Sequence, residues 1–257
     1  MPADHKAKLY VVPGSHPSMA GRLMLEHKGI PYRRVDLLAA IHKPILRLLG
    51  FRETTVPALR IDGRRLQDTV KISRALDELQ PDPPLFPPVD DPARPAVEAA
   101  EHWGEAVLQD VPRRLSWWAL TRDREPIRSF SEGFRLHVPL GLAIRTAGPI
   151  LWAEVKINGA TDDAVREDLA ALPALLQQAD DWLRDGTLGR EPATAADYQV
   201  ATSVRLLMCF EDLNGAIPAA LKTWADTLVP DFPGRVPHVF PAEWLSGLPA
   251  PATDGTR

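Results

Sequence analysis

Thr54-Thr55-Val56-Pro57-Ala58-Leu59-Arg60-Ile61-Asp62-Gly63-Arg64-Arg65-Leu66-Gln67-Asp68-Thr69 is the stretch from which the rest of the chain is read. Alternating apolar residues flank Asp62-Gly63, a pair that supplies the positive φ angles of a tight turn, so two short strands in a hairpin are predicted. Pro57 cannot donate to a sheet ladder and is tolerated only at the start or edge of a strand. The Val56-Pro57 bond can be cis, because an X-Pro bond has lost most of its trans preference. The expected consequence is a Val56 amide turned outward, as an exposed strand able to pair with a peptide-like ligand. The helix that follows opens with Asp68-Thr69, whose side chains and free N–H groups suit an amino-acid headgroup.

Upstream of this stretch, Ala7 to Val12 is a strand candidate rich in β-favouring side chains, ended by Pro13-Gly14. Pro17 sits in the first turn of a helix, where its missing N–H costs nothing, and Ala20, Leu23, Met24 and His27 recur at helical spacing up to Gly29. A second strand over Tyr32 to Leu37 and a helix around Lys43 to Leu49 follow. With the hairpin and a helix over Asp68 to Leu79, the order is β-α-β-α-β-β-α, that of a thioredoxin-like domain.

Downstream, Gln80 to Pro95 carries Pro81, Pro83, Pro84, Pro87, Pro88, Pro92 and Pro95, which forbid a continuous helix and predict an extended linker. Beyond it every patterned segment is helical. Val97, Ala100, Trp103, Val107 and Val111 predict a helix from Val97 to Leu120 with a kink at Pro112. Val165, Leu169, Leu172, Leu175, Leu176 and Ala179 predict another over Asp163 to Leu183. Thr194 and Asp197 form a capping box ahead of Val200, Ala201, Val204, Leu207 and Met208, which predicts a core helix.

The run Thr55 to Leu59, the Asp-Gly turn, and Asp68-Thr69 leading into Ile72-Ser73-Arg74-Ala75-Leu76 resemble the glutathione-binding half of glutathione transferases. Those proteins carry a Val followed by a cis proline, a hairpin, and an acidic residue plus Ser opening the next helix. Thr69 stands in place of that Ser and keeps its hydroxyl. The Thr194-x-x-Asp197 box resembles the start of their buried core helix, with Ala196 before the Asp. The resemblance implies a thioredoxin-like glutathione-binding domain at 1–80, a Pro-rich linker at 81–95 and an all-α domain at 96–257. The segments 121–159 and 229–257 exceed the usual family length.

The totals agree with such a chain. Its 257 residues, 45% hydrophobic and 25% charged, have a globular balance and can bury a substantial core. A formal net charge of −4 argues against a nucleic-acid partner. One cysteine forbids an internal disulfide and fits a reducing compartment, so a cytoplasmic protein is expected. Met1 to Lys8 lacks the apolar core of a signal peptide. The most apolar span, Val138 to Ile157, is interrupted by Arg145, Glu154, Lys156 and Pro149, so no membrane helix is expected. The seven His are scattered without ligand spacing, and no metal site is expected.

The resemblance implies an enzyme of the detoxifying kind, with glutathione as co-substrate and a small hydrophobic electrophile as acceptor. Such an enzyme must hold the thiol as thiolate, the competent nucleophile, whereas a free thiol with a pKa of ~8.5 is mostly protonated at neutral pH. A hydroxyl donor beside a helix N-terminus supplies this, through a hydrogen bond and the positive dipole end. Ser15, ten residues before Leu25, matches the catalytic place of the family's Ser and Cys classes. The alternative is that Ser15 only caps the helix. Ser18 is the second donor, or a first-turn hydroxyl without a catalytic duty. Tyr10, Tyr32 and Tyr198 are not at the catalytic place, and Cys209 falls in the capped helix as a core residue. His16 is either a base or carboxylate binder, or a solvated loop residue.

The resemblance assigns Val56 and Pro57 to the peptide backbone of glutathione, and Asp68 with Thr69 to its γ-glutamyl end. Lys43 is either the cation for the glycine-end carboxylate or a solvated lysine. Trp103, Arg113, Arg114, Trp117 and Trp118 are candidates for the acceptor pocket, although Trp at helical spacing also suits a core. A homodimer is expected by resemblance. Two other readings stay open: a binding or structural protein of this fold without turnover, and a transferase that uses another low-molecular-weight thiol.

Overall fold

The computed structural model describes residues 5–39, 41–135 and 138–249. Its first part contains β1 (Ala7–Val11), α1 (His16–His27), β2 (Tyr32–Asp36), α2 (His42–Leu48), β3 (Ala58–Ile61), β4 (Arg64–Gln67) and α3 (Thr69–Leu79). The sheet order is β2-β1-β3-β4, with β1 parallel to β2 and the β3–β4 hairpin antiparallel. This is the β-α-β-α-β-β-α order expected of a thioredoxin-like domain. Successive β1 side chains point to opposite faces. Ala7, Leu9 and Val11 therefore join the main core with Ala20, Met24, Ile72 and Leu76, while Tyr10 packs with Val12, Leu46, Phe51 and Ala58 on the other face. The hairpin turns at Asp62 (φ 47°) and Gly63 (φ 84°), the two positive φ angles for which an Asp-Gly pair is suited.

The linker is not a free extended spacer. Lys28, fully buried, donates from Nζ to Asp77 at 2.6 Å and to the Pro83 carbonyl at 2.6 Å. Leu85 and Phe86 are buried, and the Ala195 N–H donates to the Leu85 carbonyl at 2.9 Å. The prolines exclude a helix, as expected. A buried lysine that needs carbonyl partners thus ties the segment to the sheet half, and the Ala195–Leu85 hydrogen bond ties it to the helical half.

Beyond it come α4 (Arg94–Trp103), a π-helical turn (Gly104–Leu108) and α5 (Asp110–Arg122). The irregularity predicted at Pro112 lies one turn earlier, where Gln109 N–H reaches back to Gly104 at 2.9 Å. Proline in the first turn of α5 lacks the N–H that would continue the i−4 ladder, and the wider turn absorbs the mismatch. Gly104 is needed for space: a Cβ there would lie 2.8 Å from Gln199 Cγ. Then follow α6 (Pro126–Phe130), α7 (Leu140–Thr146), α8 (Gly148–Asn158), α9 (Asp162–Asp185), α10 (Ala195–Met208), α11 (Ala219–Leu228) and α12 (Ala242–Leu245). The helical character of this region agrees with the pattern read from the sequence.

The capping box is present: Thr194 accepts from Asp197 N–H, and the Asp197 carboxylate accepts from Thr194 N–H at 2.7 Å and Gly189 N–H at 2.6 Å. Its helix, α10, is almost wholly buried and packs against α1, α4 and α11. The described end of the chain is anchored by stacked aromatics. Phe240 lies 5.4 Å from Trp118 and 5.6 Å from Phe210, between ring centroids. No helix among the described residues is long and apolar enough to cross a membrane.

Candidate functional site

A cleft of about 640 Å³ opens between the sheet half and the helical half. One wall is built by chain-local features of the first half. The loop after β1 turns at Gly14 (φ 71°), a conformation for which glycine is suited. This delivers Ser15 to the cleft and to the N-cap of α1, where Ser15 Oγ accepts from the Ser18 N–H at 3.3 Å. Capping uses a lone pair of the hydroxyl and leaves its proton available. Both sequence readings of Ser15, donor and cap, are therefore sterically compatible.

Val56 and Pro57 line the same wall, and their peptide bond is cis. Val56 lies just outside β3, half-buried, and its N–H and C=O make no backbone hydrogen bond among the described residues. It is thus a pairing edge, without being a strand itself. Asp68 is held at φ 73°, ψ 139° as the N-cap of α3, accepting from Lys71 N–H at 3.1 Å. Thr69 is buried, and its Oγ1 donates to Glu105 at 3.5 Å.

Asp68, Thr69 and Glu105 make the polar corner of the cleft. Burial, then the hydrogen bond and charge of Asp68, push Glu105 up to about 7. Burial alone would raise Asp68 as well, but hydrogen bonds from the Lys71 backbone, Glu105 and the Lys71 side chain outweigh it and hold Asp68 below its ordinary value. The pair therefore holds one negative charge on Asp68 and a proton shared near neutrality on Glu105, an environment suited to an ammonium group.

The other walls come from α5, α6, α7 and α8. Trp117, Leu120, Phe130, Ala143, Ile150 and Leu151 face the cleft, so its interior is apolar on the side away from Asp68. Arg113 and Gln109 add polar groups, and Arg113 Nη1 donates to Asp110 at 2.8 Å.

His16 lines the cleft but is only 2% exposed, which excludes the solvated-loop reading. Burial, reinforced by the Arg113 charge, holds its pKa well below the ordinary histidine value, so the ring is neutral. Lys43 lines the cleft and pairs with Glu154 at 3.1 Å, which excludes the solvated-lysine reading.

Two sequence candidates fall outside. Ser18 is buried in the first turn of α1 and lines a second, small cavity with Met19, Arg22 and Phe134 instead of the cleft. Trp103 packs edge-on against Trp182 at 5.0 Å, the core role that Trp at helical spacing often has. Trp118 and Arg114 are structural too: Trp118 stacks in the core, and Arg114 makes a two-pronged pair with Asp168 at 2.6 Å. Cys209 is buried and its thiol is pushed up to about 12 by burial, so it is no thiolate nucleophile. Glu105 and Glu154 were not singled out as site residues from the sequence. The only sequence signal was for Glu154, a lone carboxylate in the apolar span of α8.

Residues 9–84 match the family model described as the glutathione S-transferase N-terminal domain. Solved structures share the fold over most of the chain. A glutathione S-transferase from Rhodospirillum rubrum F11 is 20% identical, with 93% of this chain and 98% of that one covered at a TM-score of 0.56. The β-etherase LigF from Sphingobium sp. strain SYK-6 is 15% identical, with 87% and 94% covered at 0.61. Rice GST1, solved in complex with glutathione, is 15% identical, with 96% and 92% covered at 0.52. No curated protein gives a significant match.

Proposed function

We propose that this protein is a glutathione transferase-like enzyme of the Ser type, which activates the thiol of glutathione for attack on a small hydrophobic electrophile. The observation that carries the reading is the composition of one cleft. Ser15 at a helix N-terminus, the unpaired Val56 edge beside Pro57, and the Asp68–Thr69 corner share it with an apolar wall. Solved proteins of this fold with glutathione bound, such as the rice enzyme, support the choice of thiol.

In this reading the Val56 N–H and C=O pair with the peptide backbone of glutathione. Asp68 and Thr69 take the γ-glutamyl end, whose ammonium meets the Asp68 carboxylate. The thiol loses its proton to solvent, and the Ser15 O–H donates to the resulting thiolate with help from the positive end of α1. The thiolate carbon–sulfur bond forms at the electrophilic carbon as the leaving group departs with its electron pair.

Isothermal titration with glutathione, followed by a conjugation assay with an activated aryl halide, tests the proposal. Saturable uptake and thioether formation are expected. Binding without turnover would mark a binding protein of this fold, and uptake of a different small thiol in its place would reassign the co-substrate.

A further inference from the structure

The segment between α5 and α9 places a carboxylate inside the cleft, paired with one of its cations. Glu154, on α8, has a side chain only 6% exposed and meets Lys43 Nζ at 3.1 Å. Its Oε2 accepts from Asn158 at 3.3 Å, whereas Oε1 has no hydrogen-bond partner beyond the charge of Lys43. His42, the neighbour of Lys43, also lines the cleft, and its buried Nδ1 is unpartnered. A buried carboxylate without a counter-charge is costly, so Glu154 depends on Lys43, and Lys43 is engaged before any ligand arrives.

We propose that Glu154 is an internal stand-in for the ligand's terminal carboxylate: an acid-ended thiol reaches Lys43 only by displacing Glu154, so this residue sets how strongly the cleft takes carboxylate-ended thiols. The proposal rests on the reading of glutathione as co-substrate. Lys43 has a single ammonium, and two carboxylates cannot share it in a small, partly dry cleft without repelling each other. Glutathione therefore gains the Lys43 contact minus the Glu154 contact. A thiol lacking that carboxylate leaves the Lys43–Glu154 pair in place. Glu154 is thus a specificity-determining residue that holds down discrimination between the two.

The test compares calorimetric affinities for glutathione and for its glycine-end ethyl ester. Wild type should bind the two with similar affinity. Glu154→Gln, near in shape, should tighten glutathione by about tenfold, the size of a hydrogen-bonded contact to a charged group in a partly screened site, and leave the ester unchanged. The double variant Lys43→Gln/Glu154→Gln removes both charges without orphaning either and should bind acid and ester alike. Circular dichroism checks that each variant is folded. Unchanged glutathione affinity in folded Glu154→Gln, or equal tightening of acid and ester, would overturn the proposal. If wild type and all folded variants take up neither thiol at millimolar concentration, the co-substrate reading itself fails and the stand-in role falls with it.

Discussion

The Ser15 hydroxyl has one proton and two lone pairs, and the cap of α1 engages only a lone pair. Substitutions at this residue can therefore separate stability from catalysis. Ser15→Ala removes acceptor and donor together. It should lower stability by about 1 kcal/mol, a few degrees in Tm, and cut turnover at neutral pH roughly ten- to a hundredfold while the bound thiol's pKa rises. Ser15→Asp keeps the cap acceptor but offers no proton and adds a charge facing the thiolate. Its Tm should match wild type while its rate falls at least as far as that of the alanine variant. Thermal melts and a pH–rate profile of both variants decide the matter. Wild-type rates in a folded alanine variant would leave Ser15 as a cap alone. At Ser18 an alanine substitution should leave the rate close to wild type, because that hydroxyl lies outside the cleft.

Between elements, the contact of α3 with α4 is made across a buried carboxylate. Glu101 is 0% exposed, accepts from the Ser73 hydroxyl and lies 2.8 Å from Arg74. Burial nevertheless dominates and pushes its pKa up to about 7 from its ordinary 4.5. A folded pKa above the unfolded one means that the folded state holds more protons between those two values. Stability contributed by this group is thus present at acid pH and lost as pH rises towards about 7. The buried histidines His16 and His42, whose pKa values are lowered, act in the opposite direction below the ordinary histidine range. The clean observable is therefore a difference between proteins. Glu101→Gln should match wild type near pH 5 and become the more stable of the two by pH 8, with a gap on the order of 3 kcal/mol at most. Denaturant melts across that range measure it, and a gap independent of pH would refute the assignment. Gly104 offers a second test at the neighbouring junction, since a Cβ there would lie 2.8 Å from Gln199 and 3.2 Å from Val200. Gly104→Ala should cost about 1–3 kcal/mol by overpacking α4 against α10, despite the better helix propensity of alanine.

At the scale of the whole molecule, what could be read from the sequence was what is local in the chain. The hairpin at Asp62-Gly63, the cis Val56-Pro57 bond, the caps at Asp68 and Thr194, and the helix starts depend on neighbours a few residues apart. Ser15, Val56, Asp68 and Thr69 reach one cleft because each ends or begins such an element. Glu105 and Glu154 escaped notice because their partners, Thr69 and Lys43, lie 36 and 111 positions away in sequence, and no periodicity encodes that pairing. The linker's contacts were hidden for the same reason: its prolines are visible in the sequence, but Lys28, which binds the Pro83 carbonyl, lies 55 positions away.

That linker has a consequence for how the protein unfolds. One continuous core runs from Leu9 and Met24 in the first half to Val200 and Val204 in α10. His27 at the end of α1 binds Tyr198 Oη at 2.9 Å and the Pro84 carbonyl at 3.1 Å. Separating the halves would expose both core faces and break the His27–Tyr198 and Ala195–Leu85 hydrogen bonds, which favours a single cooperative transition over stepwise loss. All seven tryptophans lie beyond the linker, the first at Trp103, so their fluorescence reports the helical half alone. Amide hydrogen exchange in β1 and β3 reports the sheet half. Under increasing urea the two signals should move together, with the same midpoint. Loss of protection in β1 and β3 at a lower urea concentration than the fluorescence change would show instead that the sheet half opens independently of α10, and that the shared core contributes little to holding the cleft's two walls in place.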